Sequence, residues 1–133
     1  MIAGVADTHT APWHLFDDPQ LSASASDFIE KAAAARQRIA VSTISLAEIV
    51  YLIEKNRLPR SAYDDLRSVL SDPDHVLKEA PFTVQIVDAL RQVPRDAVPD
   101  LPDRIVAATG LYFGVPVISR DDRIRAASIR TVW

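Results

Sequence analysis

Four carboxylates far apart in the chain, Asp7, Glu48, Asp103 and Asp121, are the side chains whose surroundings best suit them to chemistry. Asp7 directly follows a short apolar run, Ile2 to Ala6, and Asp121 follows another, Val115 to Ser119. Glu48 lies near the start of a helical segment after a third run, Ile39 to Ser42, and Asp103 opens a helix of its own. Strands of a parallel sheet all end on one edge, and that edge is where such sheets bind ligands. The helix from Asp103 runs back toward the start of the Val115–Ser119 strand, so its N-terminus falls on the same rim. Carboxylates crowded together without partners repel and raise one another's pKa. Hard divalent cations such as Mg²⁺ and Mn²⁺, which prefer oxygen ligands, relieve that conflict. Two such ions can activate a water and steady the leaving oxygen of an in-line displacement at phosphorus. The pattern predicts metal-dependent phosphodiester hydrolysis.

Each acid also has a plainer reading. Asp7 and Asp121 could cap helices, and Asp103 could simply favour a helix dipole. Ser45-Leu-Ala-Glu48 matches a capping box. Yet Glu48 is the one charge between Ile44 and Ile53, in a segment apolar nearly all round. A lone carboxylate on such a helix calls for a partner or a cation. The four together outweigh the separate alternatives.

The elements that must hold these side chains alternate along the chain. Besides the three strand runs, Val76 to Ala80 reads as a strand and Thr131 to Trp133 as an edge strand. Helices are predicted over Ser24–Arg36, Ile44–Lys55, Ser61–Leu70, Val84–Gln92, Asp103–Phe113 and Asp121–Ala127. Gly114 is a natural helix stop, and the stretch with Pro94, Pro99 and Pro102 is loop-like. Short apolar runs alternating with helices indicate an α/β fold with a mainly parallel central sheet and helices on both faces.

The chain of 133 residues suits one domain, 1–133, with no internal repeat or linker. Hydrophobic residues make up 48% and charged residues 25%, an ordinary balance for a soluble protein. With no cysteine, disulfides, thiolate metal sites and cysteine nucleophiles are excluded. No apolar run approaches the ~18 residues that cross a bilayer, and the N-terminus does not read as a signal peptide. A cytoplasmic protein is expected. The net charge of −3 makes any nucleic-acid contact depend on local basic patches.

Four segments resemble, in order, the blocks of the PIN-domain family in its VapC toxin branch. They are Asp7-Thr-His-Thr-Ala-Pro-Trp13, Thr43-Ile-Ser-Leu-Ala-Glu48-Ile, Asp100-Leu-Pro-Asp103-Arg104-Ile-Val-Ala-Ala-Thr109 and Val115-Pro-Val-Ile-Ser119-Arg-Asp121-Asp-Arg-Ile124. They span nearly the whole chain. The resemblance implies a PIN-like three-layer fold, metal ligands at Asp7, Glu48, Asp103 and Asp121, and Ser119 close to the metals. It further implies Mg²⁺- or Mn²⁺-dependent endonuclease activity on structured RNA such as tRNA or rRNA, a cognate antitoxin and a homodimer. Block spacing favours Asp121 over the adjacent Asp122, and Asp100 stands as a supporting residue.

Other residues carry weaker signals. Thr8 reads as a turn or capping hydroxyl rather than a nucleophile, since no Ser-His-Asp arrangement activates it. His9 matches the first block and is a candidate helper, whereas His14 and His75 are set aside. Arg120 and Arg123 sit near Asp121, and Arg104 beside Asp103; each could reach a phosphate, and Arg104 could instead pair with a site carboxylate. Trp13 and Phe16 are expected in the core, though aromatic rings near the rim could stack on bases. Phe16, Leu21 and Phe28 could also exceed what one core buries and form a contact patch for a second copy or an antitoxin helix.

Three competing readings are weighed. A PIN-fold binding module that has lost catalysis would not need all four acids. Haloacid-dehalogenase phosphatases carry a second aspartate two positions after the first, where this chain has His9. A receiver-like domain would need a lysine after a late strand, and Ser119-Arg-Asp lacks it.

Overall fold

The computed structural model describes all residues from Met1 to Trp133. Five strands form one sheet: β1 (Ile2–Ala6), β2 (Arg38–Ser42), β3 (Leu77–Ala80), β4 (Val117–Ile118) and β5 (Thr131–Val132). Their order is β3-β2-β1-β4-β5, and every neighbouring pair is parallel. The helices are α1 (Thr10–Leu15), α2 (Ala23–Ala34), α3 (Thr43–Glu54), α4 (Ala62–Leu70), α5 (Val84–Leu90), α6 (Leu101–Phe113) and α7 (Asp122–Ala126).

Side-chain alternation along the strands divides the interior into two layers. Ala6, Ile39, Val41 and Ile118 pack with Ala11 of α1, Ile29 of α2 and Leu66 of α4. Val5, Ala40 and Val117 point the other way, to Ile86 of α5, Val106 of α6 and Ile124 of α7. The result is the expected three-layer α/β arrangement. Helix α3 gives Ile49 to the first layer while Ile44 packs on the second, so it straddles the sheet.

Helix boundaries follow their caps. Ser42, the last residue of β2, caps α3 by accepting from the Ile44 amide at 3.2 Å. Ser45 therefore lies inside the helix, and the capping-box reading of Ser45 and Glu48 falls. Asp100 caps α6 through the Asp103 amide at 3.1 Å, with Pro102 in the first turn. Gly114 closes that helix at φ +67°, a left-handed conformation that suits glycine. Gly110 lets α6 lie close on the sheet: a Cβ there would come 2.9 Å from Val117 Cγ2.

Some expectations need correcting. Helix α1 has no counterpart among the predicted elements; six residues with a proline among them give too little periodicity to see. Strand β4 is only two residues long, because Pro116 has no amide and the Val115 amide is taken by Gly110 O at 3.0 Å. Trp13 is buried as expected, but Phe16, at 40% exposure, is not a core residue. Leu21 and Phe28 pack against the first layer rather than forming an apolar patch. Apolar exposure lies instead on α3 at Val50 and Tyr51 and on α5 at Val84 and Val87. No helix is long and apolar enough to cross a membrane.

Candidate active site

Beyond the C-terminal ends of β1 and β4, the chain surrounds a cleft of about 450 Å³. Asp7, Glu48, Asp103 and Asp121 all line it, together with Asp100, Thr8, His9, Trp13 and Arg120. The parallel register explains the convergence. Ala6 pairs with Ile118, so one step further sets Asp7 beside Ser119. Asp121 then begins α7, Asp103 stands in the first turn of α6, and Glu48 lies one turn into α3.

A hydrogen-bond network fixes the acids. The Asp7 carboxylate accepts from the Thr8 amide through Oδ1 at 2.8 Å and from the Ser119 hydroxyl through Oδ2 at 2.5 Å. Ser119 Oγ in turn accepts from the Asp121 amide at 2.9 Å. Thr8 Oγ1 donates to Glu48 Oε1 at 2.5 Å and lies 3.1 Å from Ser45 Oγ. Thr8, Ser45 and Ser119 are buried, so these hydroxyls orient carboxylates rather than meet solvent. Ser45 escaped sequence reasoning because its position imitated a helix cap.

Asp7 caps no helix: α1 follows His9, whose side chain makes no capping bond. Glu48 is interior to α3. Asp121 does cap α7, accepting from the Arg123 amide at 2.8 Å, while Asp122 is exposed and inside that helix. For Asp103 the capping task belongs to Asp100.

None of these acids forms an ion pair with a lysine or arginine, although Arg120 lines the same cleft. The one ion pair, Lys31 with Asp27, is a surface contact along α2. Burial and then the repulsion of Asp7, Asp100, Asp121 and Glu48 push Asp103 up to about 8. Asp7 is also raised, chiefly by burial, against the pull of the Ser119 and Thr8 hydrogen bonds. A divalent cation bound among such carboxylates would favour their ionised forms and offset the repulsion.

The donor set fits Mg²⁺ or Mn²⁺. It is all oxygen, with no thiolate and only His9 as a nitrogen donor at the margin. No three acidic or histidine side chains draw together into a ready-made cage. Mg²⁺ does not require such a cage, because it keeps several waters and takes one or two carboxylates alongside substrate phosphate oxygens.

The arginines divide. Arg120 lines the cleft, its guanidinium carbon 4.7 Å from the Trp13 ring centre. Arg123 is exposed and does not line it. Arg104 pairs with no carboxylate: its guanidinium donates to Leu90 O at 3.3 Å and Val93 O at 3.0 Å, tying the end of α5 to α6. This corrects the expectation that it reaches a site acid or a phosphate. His14 and His75 face each other at 6.5 Å and do not line the cleft.

Comparisons with known proteins agree with this fold. The PIN domain family model matches residues 5–129. Ribonuclease VapC22 of Mycobacterium tuberculosis is 28% identical over 126 residues, covering 95% of this chain and 92% of that protein. Among solved structures, the fold is similar to a chain of VapBC2 from Rickettsia felis bound to a promoter DNA fragment, with a TM-score of 0.70 and 17% identity over 98% of this chain and 97% of that one. DNA-bound VapBC from Salmonella typhimurium gives a TM-score of 0.65 and 19% identity, with the same coverage of both chains. FitAcB from Neisseria gonorrhoeae gives 0.61 and 20%, covering 98% and 96%.

Proposed function

The chain belongs to the PIN domain family, and from that premise we propose that it is a toxin endoribonuclease that hydrolyses RNA phosphodiester bonds with Mg²⁺ or Mn²⁺. The observation that carries the reading is the convergence of Asp7, Glu48, Asp103 and Asp121 on one cleft, none of them in an ion pair. The similarity to a ribonuclease along nearly the full length of both chains supports RNA as the substrate. Structured RNA such as tRNA or rRNA is the substrate class proposed.

Asp7, Glu48, Asp103 and Asp121 would hold the ions. The chemistry such ions supply is polarisation of a phosphoryl oxygen and a bound water acidic enough to attack near neutral pH. The protein's part is to keep the ligands oriented. Ser119 and the Thr8 amide hold both oxygens of Asp7, and Thr8 Oγ1 holds Glu48. Asp100 supports the start of α6 and so fixes Asp103. Ordered donors of this kind raise a ligand's affinity for metal and set its direction. Arg120 at the lip is placed to meet RNA phosphate.

A cognate antitoxin is the proposed protein partner, supported by the similarity to chains of toxin–antitoxin complexes, and the toxin itself is proposed to form a homodimer. Exposed Val50, Tyr51, Val84 and Val87 offer apolar contacts for such partners. A cytoplasmic location is proposed with them.

The test is incubation of purified protein with total cellular RNA in Mg²⁺, in chelator and as a Glu48→Gln variant. Discrete cleavage that needs both the ion and Glu48 is expected. Cleavage that persists in chelator, or none under any condition, would contradict the reading.

A further inference from the structure

A second cleft, of about 350 Å³, opens beside the acidic one and shares His9, Trp13 and Arg120 with it. Its far wall is Phe16 from the end of α1 and Arg57, Leu58 and Pro59 from the turn after α3. The two openings therefore adjoin at these three residues, one lined chiefly by acids and the other by two arginines and apolar side chains.

Its polar groups are unevenly committed. Asp18, also on the wall, already accepts from the Gln20 amide at 2.8 Å. Neither Arg57 nor Arg120 donates a side-chain hydrogen bond or joins an ion pair, and Arg120 lies over the Trp13 ring. Two exposed guanidinium groups beside an apolar wall suit an anionic partner with a flat apolar part. Phe16 stands 40% exposed on that wall.

We infer that this second cleft holds the nucleotide adjoining the scissile phosphate, its base against Phe16 and Leu58 and its phosphate between Arg57 and Arg120. The inference rests on the nuclease reading and adds where an unpaired part of the RNA is gripped. Guanidinium forks match phosphate oxygens, and aromatic faces accept any base. Repulsion from the carboxylates keeps the phosphate in the second cleft until ions bind in the first. The second cleft thus favours a single-stranded or looped segment, because a base inside a duplex could not reach Phe16.

The experiment uses the full chain in Ca²⁺, a hard oxygen-binding ion, with a fluorescent single-stranded oligoribonucleotide of mixed sequence and about eight nucleotides. Affinity is measured over a salt series for the wild type, Arg57→Ala, Arg57→Lys and Phe16→Ala. Thermal melts confirm folding, and RNA cleavage in Mg²⁺ is followed in parallel. Loss of one phosphate contact lowers the slope of log affinity against log salt by about 0.7 for single strands. Arg57→Ala should show that change, and Arg57→Lys should keep the wild-type slope. Phe16→Ala should bind roughly tenfold more weakly or worse with the slope intact, because stacking is lost and no charge is. Variants that match the wild type in affinity and slope, while the wild type still cuts RNA, would overturn the inference alone and leave the cleft to a protein partner. A wild type that neither binds the oligonucleotide nor cuts RNA would overturn the nuclease reading, and this inference with it.

Discussion

Ser119 Oγ donates to Asp7 Oδ2 at 2.5 Å across two neighbouring parallel strands, and the same oxygen accepts from the Asp121 amide. One buried hydroxyl thus links two of the four acids. Its bond to Asp7 favours the ionised form against burial.

Removing it with Ser119→Ala should raise Asp7 further and free the Asp121 amide. Mn²⁺ affinity near neutral pH should fall by about 10–100-fold, as with other residues that support metal ligands. Part of the loss should return at higher pH, where Asp7 ionises without help. Calorimetric titration at the low and the high end of the pH range in which protein and ion both stay in solution checks this. An equal loss at both would mean that Ser119 acts on geometry alone.

Thr8 gives a stability prediction. Thr8→Val keeps the volume but removes the hydroxyl from Glu48 and from fully buried Ser45. Urea unfolding should show a loss of about 1–3 kcal/mol, the cost of leaving buried polar groups unpaired. Thr8→Ser, which keeps the hydroxyl, should lose clearly less. Equal losses for the two would point to packing of the Thr8 methyl.

Asp103 sets a pH dependence. Its folded pKa of about 8 lies above the ordinary 3.8, so the folded state binds the extra proton. Its contribution to stability is full below about pH 4 and is lost as pH rises through about 8. In chelator, wild-type stability minus that of Asp103→Asn should therefore decline between those limits. Excess Mg²⁺ should flatten the decline, because the ion replaces the proton, and metal affinity should rise with pH over the same window. A stability difference independent of pH would contradict the crowding of these acids.

Asp100 separates support from ligation. Asparagine caps about as well as aspartate, while alanine in its place costs ~1 kcal/mol. Asp100→Asn should keep stability, and it should also relieve the repulsion on Asp103, holding or improving metal affinity near neutral pH. Isothermal titration that shows a large loss of Mg²⁺ affinity in Asp100→Asn would make Asp100 a ligand.

Much of this arrangement was legible in the sequence because parallel strands make chain order into geometry. Runs ending at Asp7 and Ser119 had to finish on one edge, and the α6 cap at Asp100 brought Asp103 back to it. What could not be read depended on contacts between distant segments. Arg104 beside Asp103 looks like a site residue until the end of α5 supplies two carbonyls for it. Phe16 looks like core until α1, too short to be seen by periodicity, turns it toward Arg57. The stacking of Arg120 on Trp13 joins residues at opposite ends of the chain and has no local signature.

The central claim is that Asp7 binds metal, and the direct measurement compares wild type with Asp7→Asn. Thermal melts with and without Mg²⁺ or Mn²⁺ are paired with cleavage of cellular RNA. Asn should fold at least as well in chelator, because a buried negative charge leaves a crowded cluster. The metal-induced rise in melting temperature should shrink, since an ion stabilises only what it binds, and RNA cleavage should fall by orders of magnitude. A variant that responds to metal like the wild type and cuts RNA at the wild-type rate would contradict the account.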